Sequence, residues 1–164
     1  MVILRKSFLV LQLIIAVLVV NAQPQKSLSL NDFVSDRTFS EKTVSGVISM
    51  NDGEHFSSLK GASSIVKYSY KSGQEVDVIL NLNDIKDSPV KSVSSYTFST
   101  NEQRILLETN KKSIYRHSYS ANFYVWDQYT KTIYEVSEYG PQQVATFSPD
   151  GERVAFVRDS NIFI

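Results

Sequence analysis

The sequence has no cysteine among its 164 residues. That absence excludes a disulfide framework, a thiol nucleophile and any cysteine-ligated zinc or iron–sulfur centre. Histidine is almost missing too: His55 and His117 are the only two, too few for a multi-histidine metal site. No lysine- or arginine-rich run occurs, and 17 basic side chains balance 17 acidic ones, so the electrostatic footprint of a nucleic-acid binder is lacking. The six glycines (46, 53, 61, 73, 140 and 151) include no G-x-S-x-G, the strained turn that presents a hydrolase nucleophile. No residue pattern calls for a cofactor.

Residues 1–22 read as an export segment outside the fold. Arg5 and Lys6 make a positive start, and residues 8–20 (FLVLQLIIAVLVV) are apolar except for Gln12. Val20-Asn21-Ala22 then supplies modest or small residues at the −3 and −1 positions of a cleavage site, completing the layout of a secretory signal peptide. The apolar run is shorter than the roughly 20 residues needed to span hydrocarbon, so no membrane span is expected after processing. Cleavage after Ala22 leaves 142 residues with 15 basic and 17 acidic side chains, a formal charge of −2. An exported chain without cysteine forgoes disulfides that its compartment permits, which points to a bacterial periplasmic, cell-surface or secreted protein.

The remainder reads as strands. After a lead-in over residues 23–46, in which Ser29-Leu30-Asn31-Asp32 looks like a capped helix start, short apolar/polar alternations dominate. They lie at 64–70 (SIVKYSY), 75–80 (EVDVIL), 104–108 (RILLE), 121–127 (ANFYVWD), 132–136 (TIYEV) and 153–157 (RVAFV). Period-two alternation with β-branched and aromatic enrichment predicts half-buried antiparallel strands and an all-β fold. Asn51-Asp52-Gly53, Lys71-Ser72-Gly73, Tyr139-Gly140-Pro141 and Asp150-Gly151 supply turns between them.

An internal repeat narrows the fold. Asp52, Asn101 and Asp150 stand 49 residues apart each time, and each precedes an apolar strand. Such a period, with about four strands per unit, is the spacing of β-propeller blades; a β-sandwich needs no fixed repeat. Residues 47–164 accommodate two full units and the opening of a third, so an incomplete propeller is expected, within a sequence that is a fragment of a larger protein.

The copies are unequal. The middle one carries about nine extra residues between Leu107 and Ala121, and a long loop is expected there, where repeat architectures place binding residues. This stretch presents Lys111, Lys112, Tyr115, Arg116, His117 and Tyr119. An arginine fixed between aromatics can hold a carboxylate or carbonyl with a directed fork of donors.

Residues 115–127 (YRHSYSANFYVWD) resemble the W/Y-R-H-S-Y-T-A-x-Y-x-I-Y-D segment of the dipeptidyl peptidase IV family, serine exopeptidases of the prolyl oligopeptidase superfamily. Residues 95–108 (SYTFSTNEQRILLE) are similar to its Y-x-x-S-P-D-x-x-x-I-L-L-E strand pair, and 146–164 (TFSPDGERVAFVRDSNIFI) to its W-S-P-x-G-x-x-L-A-Y-V-x-x-N-D-I-Y-V segment. The resemblance covers about residues 28–164. It implies an N-terminal eight-bladed propeller, of which two to three blades are present, followed by an α/β-hydrolase domain that is absent here. It implies release of X-Pro or X-Ala dipeptides from peptide N-termini by a Ser-Asp-His triad, in a protein that is homodimeric at full length. At the Arg116 position the family's arginine hydrogen-bonds a substrate backbone carbonyl. The family's amine-clamping glutamate pair and its triad would lie beyond Ile164. The lack of cysteine, which animal members use in the propeller, suggests the bacterial branch.

The other candidates have plainer readings. His117 supports the shape of the arginine loop, Tyr115 and Tyr119 pack that loop or touch substrate, and Trp126 belongs to the blade core. His55 is expected to be exposed, Lys111-Lys112 to face solvent, and Asp52 and Asp150 to serve turns instead of acid–base work. The competing function is a non-enzymatic periplasmic WD40-like propeller scaffold, which has no need of the long R-H-S-Y insertion.

Overall fold

The structure is a computed structural model that describes residues 27–36, 38–40 and 46–164. The expected signal peptide at 1–22 lies outside the described residues. The chain divides into two compact units, residues 1–43 and 44–164.

In the first unit the expected helix start is present as α1 (Leu30–Val34). Ser29 is its N-cap: the Asp32 carboxylate accepts from the Ser29 N–H and hydroxyl at 2.8 Å each, while the Ser29 oxygen accepts from the Asp32 N–H at 3.4 Å. This reciprocal box satisfies donors that a one-turn helix cannot satisfy internally. Phe33 stacks on Phe39 with ring centroids 5.0 Å apart.

The second unit is all-β and antiparallel throughout. A first sheet joins β1 (Ile48–Ser49), β2 (His55–Lys60), β3 (Ser64–Ser69) and β4 (Glu75–Asn81) in chain order. After a short 3-10 turn at Leu82–Asp84, a second sheet joins β5 (Ser95–Phe98), β6 (Arg104–Ser113), β7 (Tyr119–Asp127) and β8 (Thr132–Glu135). A third contains β9 (Gln143–Phe147), β10 (Val154–Arg158) and β11 (Asn161–Phe163). Consecutive four-stranded meanders on a fixed repeat are propeller blades, and the chain forms two of them and three strands of another.

The sheets stack face to face, so the middle one is buried on both sides. Ile105, Leu107 and Trp126, together with Tyr96 of β5, pack toward the first sheet and its Ile65 and Leu80. Leu106, Phe123 and Val125 point the other way, with Ala145, Phe147 and Val154 of the third sheet packed against them. The expectation of half-buried strands therefore fails for β6 and β7. A strand covered on both faces needs no polar alternate, which explains the unbroken Ile105-Leu106-Leu107.

The 49-residue repeat is a repeat of one turn. The Asp52 carboxylate accepts from the Glu54 and His55 N–H at 3.0 Å. Asn101 Oδ1 accepts from the Gln103 N–H at 3.1 Å, and Asp150 Oδ1 from the Glu152 N–H at 2.9 Å. Each side chain thus closes its own Asx turn before the next strand, as expected for Asp52 and Asp150.

Successive turns also bind each other. The Asn51 N–H donates to Glu102 Oε1 at 2.6 Å, and its side-chain amide donates to the Thr100 carbonyl at 2.8 Å. One repeat further on, the Arg104 guanidinium donates to the Gly151 carbonyl at 2.9 Å and pairs with Glu152 at 3.1 Å and Asp127 at 3.3 Å. Gly151 itself is buried with φ +73°, and a Cβ there would lie 2.9 Å from the Ser99 Cβ of the preceding turn. The sheets are therefore joined along their turn edge by polar contacts as well as by their cores.

Candidate functional site

The extra residues of the middle repeat form a ribbon instead of the expected long loop. β6 pairs with β5 only through Glu108, yet continues to Ser113, and β7 returns from Tyr119. The five residues past Glu108 carry the hairpin about 16 Å beyond the sheet at the usual strand rise. A bulge interrupts the ribbon between Thr109 and Lys112, where Asn110 adopts φ +51°.

Only residues 114–118 form a true loop. It is closed by the Ser118 carbonyl, which accepts from the Ile114 N–H at 2.8 Å and the Tyr115 N–H at 3.1 Å. Arg116 occupies the middle of this tip. Its side chain is exposed and makes no hydrogen bond or ion pair with the described residues. A guanidinium presented in this way keeps all five donors available for a ligand acceptor.

The base of the ribbon is fixed from two sides. On one, the Tyr119 hydroxyl donates to Glu108 Oε2 at 2.6 Å, and the Lys111 ammonium pairs with Glu108 Oε1 at 3.1 Å. Lys111 also lies 3.7 Å above the Tyr119 ring centroid. Hydrogen bonding to the Glu108 carboxylate, with burial adding to it, pushes the Tyr119 phenol up to about 12. On the other side stands Gln142, fully buried, whose Oε1 accepts from the Phe123 N–H at 3.1 Å. Its own backbone bridges Ala121 in both directions, at 2.7 and 2.9 Å. Gln142 thus continues the ladder past the end of β8.

The sequence candidates separate accordingly. Arg116, Tyr115 and His117 share the tip, with Tyr115 81% exposed and unable to pack the loop. Tyr119 starts β7 beside the tip, and its hydroxyl reaches back to Glu108 at the ribbon base. Trp126 is core at 4% exposure, as expected. Lys111 and Lys112 are exposed, as expected, and Lys111 also pairs with the buried Glu108 carboxylate. One expectation needs correction. His55 is half-buried, since its Nδ1 sits 2.7 Å from the Asp52 carboxylate, which also takes Lys67 at 2.9 Å. Glu108 and Gln142 were not candidates from sequence; a lone acidic residue ending an apolar run is the signal that marks Glu108.

Residues 99–164, which include the whole hairpin, match the family described as "Dipeptidyl peptidase IV (DPP IV) N-terminal region". Over these residues the chain is similar to the N-terminal region of dipeptidyl peptidase IV. The crystal structure of Porphyromonas gingivalis dipeptidyl peptidase 4 superposes on this N-terminal region with a TM-score of 0.69 and 37% identity, over 85% of this chain and 20% of that one. Human prolyl endopeptidase FAP is 28% identical over 142 residues, 85% of this chain and 18% of its own length. A probable dipeptidyl-aminopeptidase B of Arthroderma gypseum is 34% identical over 91 residues, 54% of this chain and 10% of its own. The dipeptidyl peptidase IV region present here therefore spans about a fifth or less of these relatives' lengths. These similarities favour the family's propeller over a generic WD40-like scaffold.

Proposed function

We propose that this chain is the substrate-gating propeller part of an exported dipeptidyl peptidase that releases X-Pro or X-Ala dipeptides from peptide N-termini. In this reading the Arg116 guanidinium binds a backbone carbonyl of the peptide substrate. One observation carries it: Arg116 stands at the tip of a ribbon projecting beyond its sheet, engaged by none of the described residues. The chemistry itself belongs to a serine nucleophile in an α/β-hydrolase domain of the complete protein, with acyl transfer through a Ser-Asp-His triad.

The apolar stretch at 8–20 and the small residues before residue 23 support export to the periplasm, cell surface or medium. The absence of cysteine and the 37% identity to a bacterial dipeptidyl peptidase 4 support the bacterial branch of the family. The complete protein acts as a homodimer, as the family resemblance implies.

The test is product analysis. The complete protein, incubated with a peptide bearing proline at its second position, should release the N-terminal dipeptide, detected by mass spectrometry, and an N-acetylated version of that peptide should resist. Absence of dipeptide release, or equal cleavage of the acetylated peptide, would overturn the reading.

A further inference from the structure

At Glu108, charge and burial conflict. The residue is 6% exposed and lies on the face of the second sheet that turns toward the third, directly across from Phe123. A carboxylate in that setting requires partners, because desolvation is costly without them. Both partners come from the projecting ribbon: the Tyr119 hydroxyl at 2.6 Å and the Lys111 ammonium at 3.1 Å. Lys111 over the Tyr119 ring closes the group into a three-way contact.

Its place in the hairpin gives the contact its meaning. Glu108 is the last β6 residue paired with β5, and Tyr119 is the first residue of β7, three positions after Arg116. The contact therefore spans the bulged ribbon, from Glu108 at its base to Tyr119, which pairs with Ser113 at its far end and directly follows the Ser118 closure. A two-stranded ribbon is only marginally stable by itself, so its direction is set where it joins the sheet. Gln142 fixes the β7 backbone there, and its hydrogen bonds among the described residues do not reach the β6 side of the ribbon.

We propose that Glu108, acting through Tyr119 and Lys111, is a positioning residue that aims the ribbon and with it the Arg116 guanidinium at the peptide substrate. The role rests on the reading of Arg116 as a substrate-binding residue. Glu108 gains nothing from contact with substrate itself. It works by removing directions that the hairpin would otherwise sample, which lowers the cost of ordering the arginine on binding.

The experiment is a set of double-mutant cycles in the complete protein, read as kcat and KM on a Gly-Pro chromogenic substrate. Tyr119→Phe removes one oxygen and Glu108→Gln is nearly isosteric, so both retain the packing. Lys111→Met reaches the same contact from an exposed position. Each should lower kcat/KM by up to about tenfold, chiefly through KM, the scale of the cost of ordering a side chain on binding. Added to Arg116→Ala, none should cause further loss. If the three variants match wild type while Arg116→Ala is impaired, the positioning role is wrong. It is equally wrong if they cost the same factor with Arg116 already removed. If Arg116→Ala alone leaves kinetics unchanged, the arginine reading falls, and the positioning role with it.

Discussion

Gly151→Ala isolates the stitching between successive turns. Two costs arise at that position. The first is conformational: φ is +73°, and an L-side chain in the left-handed region costs about 1–2 kcal/mol. The second is steric. The added Cβ would sit 2.9 Å from the Ser99 Cβ, well inside the ~3.5–4.0 Å at which carbons attract, and both atoms lie close to backbone that the Arg104 bond to the Gly151 carbonyl holds in place. Overpacking of this kind costs about 1–3 kcal/mol, for a total of roughly 2–5 kcal/mol. Gly53 provides the control, with φ +69° and nothing within 4 Å of its hypothetical Cβ, so Gly53→Ala carries only the first cost. Urea unfolding of the chain can be followed through Trp126, the one tryptophan of the sequence, which is 4% exposed and changes environment on unfolding. At a urea slope of about 2 kcal/mol per molar, Gly151→Ala should lower the midpoint by about 1–2.5 M and Gly53→Ala by about 0.5–1 M. Ser99→Gly removes the opposing Cβ and should couple favourably to Gly151→Ala by about 1–3 kcal/mol. Equal midpoint shifts for the two alanines, or a coupling of zero, would refute the interlock.

Two further outcomes follow from the same geometry. Gln142→Leu leaves the Phe123 N–H buried without an acceptor, which should cost about 1–3 kcal/mol in urea unfolding and speed hydrogen exchange at that amide; an unchanged exchange rate would exclude the ladder role. The Lys67 ammonium, with backbone and His55 donors, holds the Asp52 carboxyl well below the usual carboxylate range. The unfolded chain therefore takes up the Asp52 proton at higher pH than the folded one, and the stabilisation present at neutral pH is lost as pH falls below about 4. Asp52→Asn should flatten the acid limb of a plot of unfolding midpoint against pH, and an acid limb as steep as wild type would contradict it.

The sequence carried the strands whose neighbours are apolar and hid those whose neighbours are polar. The six alternating runs all appear as strands, because branched and aromatic side chains at every second position leave few other ways to bury them. β2 was illegible. Its Ser57 and Ser58 are polar, yet both are buried, and Tyr96 reaches across from the second sheet to donate to the Ser57 hydroxyl at 2.8 Å. A serine satisfied by a tyrosine 39 residues away leaves no local pattern. The ribbon was read as a loop for a related reason: beyond Thr109 its β6 strand is exposed at every position, so no alternation survives to mark it. Arg116 was legible because a motif surrounds it. The contact among Glu108, Lys111 and Tyr119 depends on a bulge that shifts the register, which spacing alone does not disclose.

The central claim, that the hairpin tip delivers an arginine to a peptide substrate, is tested most directly by Arg116→Ala in the complete protein. The side chain is exposed and has no partner among the described residues, so the thermal unfolding midpoint should not move. Losing a charged donor to a substrate carbonyl should remove about 1.5–3 kcal/mol of binding, a fall of roughly 10- to 200-fold in kcat/KM on X-Pro substrates. A variant that folds normally and retains kcat/KM within about twofold of wild type would contradict the account.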